Sequence, residues 1–226
     1  MTPETALEIL SAFSVAGKAS EMAAYHKVDR TYLGVANPVL DDHAKTWRHV
    51  LSLEDRLSLC DGLWQTNIHE ARICAAKLLT QARIRPDDNG AWELIQAWVP
   101  DFDAWAVADH VCMAGQRRLT ADPSRLDTVE GWTQSPHMWT KRAALVITLP
   151  WTKNRNPKRV EVGQRERILG WAAGYVNDHD WFIQKSVGWW LRDLSKRDPD
   201  RVRQFIETHG DNMKPFAVRE AVRHIT

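Results

Sequence analysis

An all-α fold built of short paired helices is what this 226-residue sequence predicts, from three observations. Apolar residues recur with a helical period in almost every segment. No short run alternates apolar and polar positions between turn signals, as a half-buried strand does. Proline and glycine fall where helices should start or stop: Pro3, Gly17, Pro38, Gly62, Pro86 to Gly90, Pro100, Pro123, Pro136, Pro150 to Pro157, Pro199 and Gly210 to Pro215. Proline lacks the amide a helix interior uses, and glycine loses the most backbone freedom there.

Taken in chain order, several segments read as the second helix of a pair: NIHEARICAAKLL from Asn67, FDAWAVADHVC from Phe102, SPHMWTKRAALVITL from Ser135, DWFIQKSVGWWLRDL from Asp180 and MKPFAVREAVRHI from Met213. Four of them place a basic residue within three positions before a small one, at Arg72, Lys141, Lys185 and Arg219, with separations of 69, 44 and 34. The widest gap leaves room for one more unit, which the segment from Phe102 fills. Such spacing with two helices per unit is the size class of HEAT, armadillo and tetratricopeptide repeats. It predicts a HEAT-like helical-repeat solenoid, an α-α superhelix curved around a concave groove. Pro150 to Gly163, carrying Lys153, Arg155, Lys158 and Arg159, reads as a longer loop and not as a linker. A single domain over 1–226 is expected.

Composition narrows the class. With 44% hydrophobic and 26% charged residues the chain can build a core, which excludes a disordered protein. No apolar stretch approaches the roughly 20 residues of a membrane span. The first residues, MTPETALEIL, have no basic region before the apolar ones and no cleavage site after them, so a cytoplasmic protein without a signal peptide is expected. Cys60, Cys74 and Cys112 are odd in number and widely spaced, and read as buried thiols. The net charge of +1 hides an asymmetry: residues 1–113 hold 10 basic and 16 acidic residues, and 114–226 hold 20 and 13. A basic half suggests a face for a polyanion.

Local motifs for metal or nucleotide chemistry are missing from the sequence. The nine histidines form no HExxH pair and no Cys/His cluster, and there is no GxGxxG, phosphate loop or GxSxG elbow. No metal and no cofactor are expected. Twelve tryptophans are more than packing usually recruits. Trp47, Trp64, Trp92, Trp98, Trp132, Trp151 and Trp171 sit among aliphatics and read as core or helix-junction residues. Trp105 and Asp109, four apart on one helix, put an aromatic plane and a carboxylate on the same face. His110, the next residue, points elsewhere and reads as packed or solvated. The tandem Trp189 and Trp190 diverge by about 100°, so one can pack while the other faces a groove. Lys185, four before Trp189, shares its face. Lys141 and Arg142 diverge likewise, leaving one to meet a phosphate. Cations interleaved with aromatics suit a nucleic-acid backbone.

EMAAYHK with Tyr25, YLGV from Tyr32, AWAVAD with Trp105 and Asp109, WTKRAA with Arg142, FIQKSVGWWLRD from Phe182 and the terminal FAVREAVRHI occur in this order along nearly the whole chain. In these elements the sequence resembles the bacterial AlkD-like DNA alkylation repair glycosylases, built of HEAT-like repeats. Where that family often has Arg-Arg before Ala-Ala, this chain has Lys141 and Arg142. The resemblance implies a monofunctional glycosylase that releases positively charged N3- or N7-alkylated purines, such as 3-methyladenine and 7-methylguanine, from duplex DNA. It starts base excision repair without flipping the base into a pocket. Asp109, Trp105, Trp189 and Arg142 would form the catalytic cleft, with Tyr25 beside the lesion. The concave face would be completed by Lys141, Lys185, Arg72, Arg219, Lys153, Arg155, Lys158 and Arg159. The expected partner is duplex DNA containing alkylated bases, met by a nucleoid-associated monomer. The alternatives are a HEAT-like protein that binds DNA structures without excising bases, and a protein-binding scaffold.

Overall fold

The computed structural model describes residues 1–225, and among these every regular element is helical, thirteen α-helices and four short 3₁₀ helices. The all-α class predicted by periodicity is therefore the observed one. Among the described residues no helix is long and apolar enough to cross a membrane. The chain groups into two compact units, Met1–Ala121 and Asp122–Thr226.

The first unit comprises α1 (Pro3–Ser11), α2 (Lys18–His26), α3 (Asn37–Val50), α4 (Leu53–Gln65), α5 (His69–Leu79), α6 (Asn89–Trp98) and α7 (Trp105–Ala121). Their starts follow local chemistry. Thr2 caps α1 by accepting the Thr5 amide, with Pro3 at the first helical position, and Ser52 caps α4 by accepting the Asp55 amide. Helix α5 is buried along nearly its whole length and packs against α3, α4 and α7, so it is the axis of this unit's core. Beside it Trp64 and Trp98 stack with centroids 4.6 Å apart and planes 9° off parallel. The Trp64 indole donates to Asp101 at 3.1 Å, which satisfies its one donor inside the core. Gly62 departs from expectation, since it lies within α4 and ends nothing. A Cβ at Gly62 would fall 2.3 Å from the Pro3 ring, so the missing side chain lets α1 approach α4.

The second unit comprises α8 (Leu126–Trp132), α9 (Met138–Val146), α10 (Arg159–Gly174), α11 (Trp181–Ser195), α12 (Pro199–His209) and α13 (Pro215–Ala221). Helix α11 is its axis, packed against α9, α12 and α13. It begins where the Asp180 carboxylate accepts the Phe182 and Ile183 amides. Its buried Gln184 donates to the carbonyls of Tyr175, Val176 and Asp178 and accepts the Lys214 amide, tying the turn before α11 to the start of α13. At Gly188 a Cβ would lie 2.9 Å from the Ala217 carbonyl oxygen, so only glycine permits this approach of α11 to α13. The loop read from Pro150 to Gly163 is shorter than expected. A 3₁₀ helix occupies Leu149–Thr152, and α10 begins at Arg159 because the Glu161 carboxylate accepts the Lys158 amide at 2.6 Å.

Of the seven tryptophans expected to pack, Trp47, Trp64, Trp92, Trp98 and Trp171 are buried. Trp132 and Trp151 are half-buried, Trp132 at the end of α8 and Trp151 donating to Gln164. All three cysteines are free and buried, and burial pushes the Cys74 thiol up to about 12.

Candidate nucleic-acid interface

In the first unit the site is built where α7 begins. Phe102 and Ala104 are buried and Asp103 between them is exposed, so the chain enters α7 anchored on two sides. Asp103 pairs with Arg30, whose side chain is entirely buried. Trp105, the first residue of α7, is 36% exposed, and Asp109, one turn on, is half-buried. Tyr25, 69% exposed on α2, meets the Trp105 ring edge-on at 6.0 Å, and His26 lies 5.5 Å from the same ring. Tyr25, Trp105 and Asp109 are thus carried by two helices of one unit.

Packed with them is an aromatic cluster that sequence reasoning missed, with His69 and Tyr32 buried and His26 half-buried. The His26 and His69 rings are 4.4 Å apart, and Tyr32 lies 4.8 Å from His69. The segment that carries Tyr32 is held by Glu70, which is fully buried and accepts the amides of Leu33, Gly34 and Val35 at 2.9, 2.7 and 3.2 Å. Gly34 has φ +77°, and a Cβ there would lie 2.9 Å from the Ala19 amide nitrogen, so the turn requires glycine. Burial, with His26, Arg30 and His110 adding nearby positive charge, lowers His69 from 6.5 to about 3. Between those values the unfolded chain binds the proton and the folded chain does not, so stability falls as pH drops through that window. Replacing His69 by Gln is expected to flatten this loss when urea unfolding is followed from pH 7 to pH 4. Identical pH slopes for the variant and the native chain would refute it.

His110 donates from Nδ1 to the Ala106 carbonyl, 2.7 Å away, and lines a depression with Asp41, Arg48 and Lys77. Arg72 departs from its expected role. It is 9% exposed, its Nε donates to the Trp64 carbonyl at 3.1 Å, and its guanidinium lies 4.5 Å over the Trp64 ring. It closes the end of α4 onto α5, and we leave it out of the interface.

In the second unit the adjacent cations on α9 do diverge. Arg142 is 2% exposed with its guanidinium 5.7 Å from the Trp139 ring, whereas Lys141 reaches the Asp178 carboxylate at 2.5 Å and lies 4.9 Å over the Tyr175 ring. On α11, Trp190 is fully buried and Trp189 half-buried. Trp189 shares a groove with Lys185, Trp181, Arg192, Phe216 and Glu220. Lys185 is exposed, its ammonium 4.6 Å from the Trp181 ring. Lys153, Arg155, Lys158, Arg159 and Arg219 are all exposed. Trp181 and Phe216 were not singled out in the sequence, although Trp181 precedes Lys185 by four and Trp189 by eight, the spacing of one helix face.

These helix pairs define a helical-repeat protein, the class that the anchor spacing predicts. The family model described as DNA alkylation repair enzyme matches residues 6–225, and the chain belongs to that family. Among solved structures it is similar to a predicted DNA alkylation repair enzyme from Enterococcus faecalis, at 20% identity over 94% of this chain and 97% of that one, with a TM-score of 0.76. It is also similar to AlkD2 from Streptococcus mutans, at 18% identity over 84% of this chain and 90% of that one, with a TM-score of 0.61. The protein smu.31 from Streptococcus mutans UA159 is comparable, at 19% identity over 84% and 92% and the same TM-score. At these identities the likeness is one of fold. A comparison with curated proteins found no match.

Proposed function

We propose that this DNA alkylation repair enzyme is a monofunctional glycosylase that hydrolyses the N-glycosidic bond of positively charged N3- or N7-alkylated purines in duplex DNA. The observation that carries the reading is Trp105 and Asp109 on successive turns of α7, with Tyr25 packed against the tryptophan. A cationic purine is already a good leaving group, so its departure needs no general acid. Cleavage leaves an oxocarbenium-like sugar, which a nearby carboxylate stabilises while orienting the attacking water. Asp109 takes that role. Trp105 contacts the deoxyribose, favouring the cation by about 1 to 2 kcal/mol through its ring face, and Trp189 is assigned to the DNA as well. Because the chemistry acts on the sugar, the damaged base need not enter a pocket, and bulky adducts are tolerated.

Arg142 is assigned to a phosphate of the same DNA. Arg142 is 2% exposed beside Trp139, so this contact requires its guanidinium to be uncovered when DNA binds. Arg142→Ala is expected to weaken duplex binding and to lower the slope of log K against log salt by about 0.9, the release of one counterion. An unchanged slope would remove the phosphate contact. The exposed Lys185, Arg219 and 153–159 cations supply the rest of the backbone neutralisation, with Lys141 engaged by Asp178 in the unbound protein.

The direct test is incubation of the purified protein with duplex DNA containing 7-methylguanine, without metal or nucleotide, and measurement of free base. Release of 7-methylguanine supports the reading. Duplex binding without release would replace it by a protein that recognises DNA structure, and absence of binding by a protein scaffold.

A further inference from the structure

We infer that the groove between α11 and α13 is a docking site for an unpaired nucleobase of DNA. This rests on the DNA-binding part of the reading above and goes beyond the excision chemistry, since it concerns where a base rests and not which bond is cut. The groove encloses about 480 Å³ and is lined by Trp181, Lys185, Trp189, Arg192, Phe216 and Glu220, room enough for one base with its sugar.

Its aromatic end is rigid. Trp181 stacks on Phe216 with centroids 5.8 Å apart and planes 28° off parallel, and the Phe182 ring abuts it at 4.9 Å. Phe182 is itself packed on Trp139 at 4.6 Å. Trp181 nevertheless stays 47% exposed, and the half-buried Trp189 continues the apolar wall two turns along α11. The close approach at Gly188 and Ala217 holds the two helices, and with them the rings. Three aromatic groups fixed in an open groove suit a flat π system. A base inside a duplex offers only its edges, so only a base out of the stack can lay its face on them.

The charges favour a base over other flat ligands. Glu220 is paired with Arg192, so the groove lacks an uncommitted carboxylate for an aromatic cage around a cation. The same pair presents donors and acceptors at the far end, where the polar edge of a base would lie. Lys185 stands over the Trp181 ring with no salt-bridge partner among the described residues, placed to meet the phosphate of the docked nucleotide.

The test uses a duplex with one bulged 2-aminopurine and the same duplex fully paired, with binding and 2-aminopurine emission measured at low salt. The native chain is expected to bind the bulged duplex about tenfold more tightly than the paired one, the scale of one base-aromatic stack, and to quench its emission. Trp181→Ala should bring the two affinities together and leave the emission bright, whereas Trp181→Phe keeps most of both effects. Affinity for the paired duplex should be the same in all three proteins. Equal native affinities for the two duplexes, or a preference that survives Trp181→Ala, overturn the proposal. Binding to neither duplex defeats it together with the DNA-binding premise. Release of 7-methylguanine by a protein that shows no bulge preference defeats the groove alone and leaves the glycosylase standing.

Discussion

Replacing Asp109 by asparagine is expected to slow release of 7-methylguanine by about 10²-fold or more while leaving duplex affinity within about twofold. Asparagine keeps the size of the side chain and its place one turn beyond Trp105 on α7, and removes only the negative charge. If the carboxylate stabilises a developing sugar cation, its contribution is larger in the transition state than in the bound ground state, and the loss falls on the single-turnover rate. A lesion whose base leaves more readily should suffer less from the substitution, because less help is needed at the sugar. The measurement is a single-turnover time course of free base with excess enzyme, with titration of uncleaved duplex in parallel. Near-native turnover would take Asp109 out of the mechanism, and equal losses in affinity and rate would make it a binding residue.

The second large effect is expected at Glu70, as a loss of stability. Glu70→Ala removes the acceptor of three backbone amides, at Leu33, Gly34 and Val35, from a fully buried position. Each orphaned donor costs about 1 to 3 kcal/mol, less where water can enter, so a loss of about 4 kcal/mol is expected from urea unfolding. Glu70→Gln keeps one acceptor oxygen and turns an NH₂ toward a donor, and should fall between. The turn held by Glu70 also carries Tyr32, whose ring packs on His69 beside His26, so release of the turn should reach Trp105. The emission lost on adding Trp105→Phe to each chain isolates that ring among the twelve tryptophans and should report a less ordered environment in Glu70→Ala. A change below about 1 kcal/mol in Glu70→Ala would show that the carboxylate is not what holds the turn.

The elements that sequence reasoning reached are those whose signals are local. Helical periodicity, Pro3 and Pro199 at first helical positions, and the divergence of Trp189 from Trp190 each depend on residues within one or two turns. Gly62 reads as a helix boundary, and Gly188 carries no local signal of its role. Glycine ends helices by its freedom but also admits close packing, and only the neighbours, Pro3 in one case and Ala217 in the other, decide which reason applies. Arg72 fits the anchor pattern as well as Lys185 does, yet one is folded under Trp64 and the other stands exposed over Trp181. The pattern records where a basic residue lies on its helix, and not whether a carbonyl such as that of Trp64 waits at the end of its reach.

By itself the sequence determined the all-helical class and the face on which Trp105 and Asp109 lie together, because these follow from backbone geometry that repeats every few residues. The tertiary structure alone decided which charges are spent inside the fold and which aromatics remain open. Arg30 meets Asp103 from 73 residues away, Lys141 meets Asp178 from 37, and Trp181 meets Phe216 from another helix. Such pairs are chosen by burial and by competition among many possible partners, and those are properties of the packed chain.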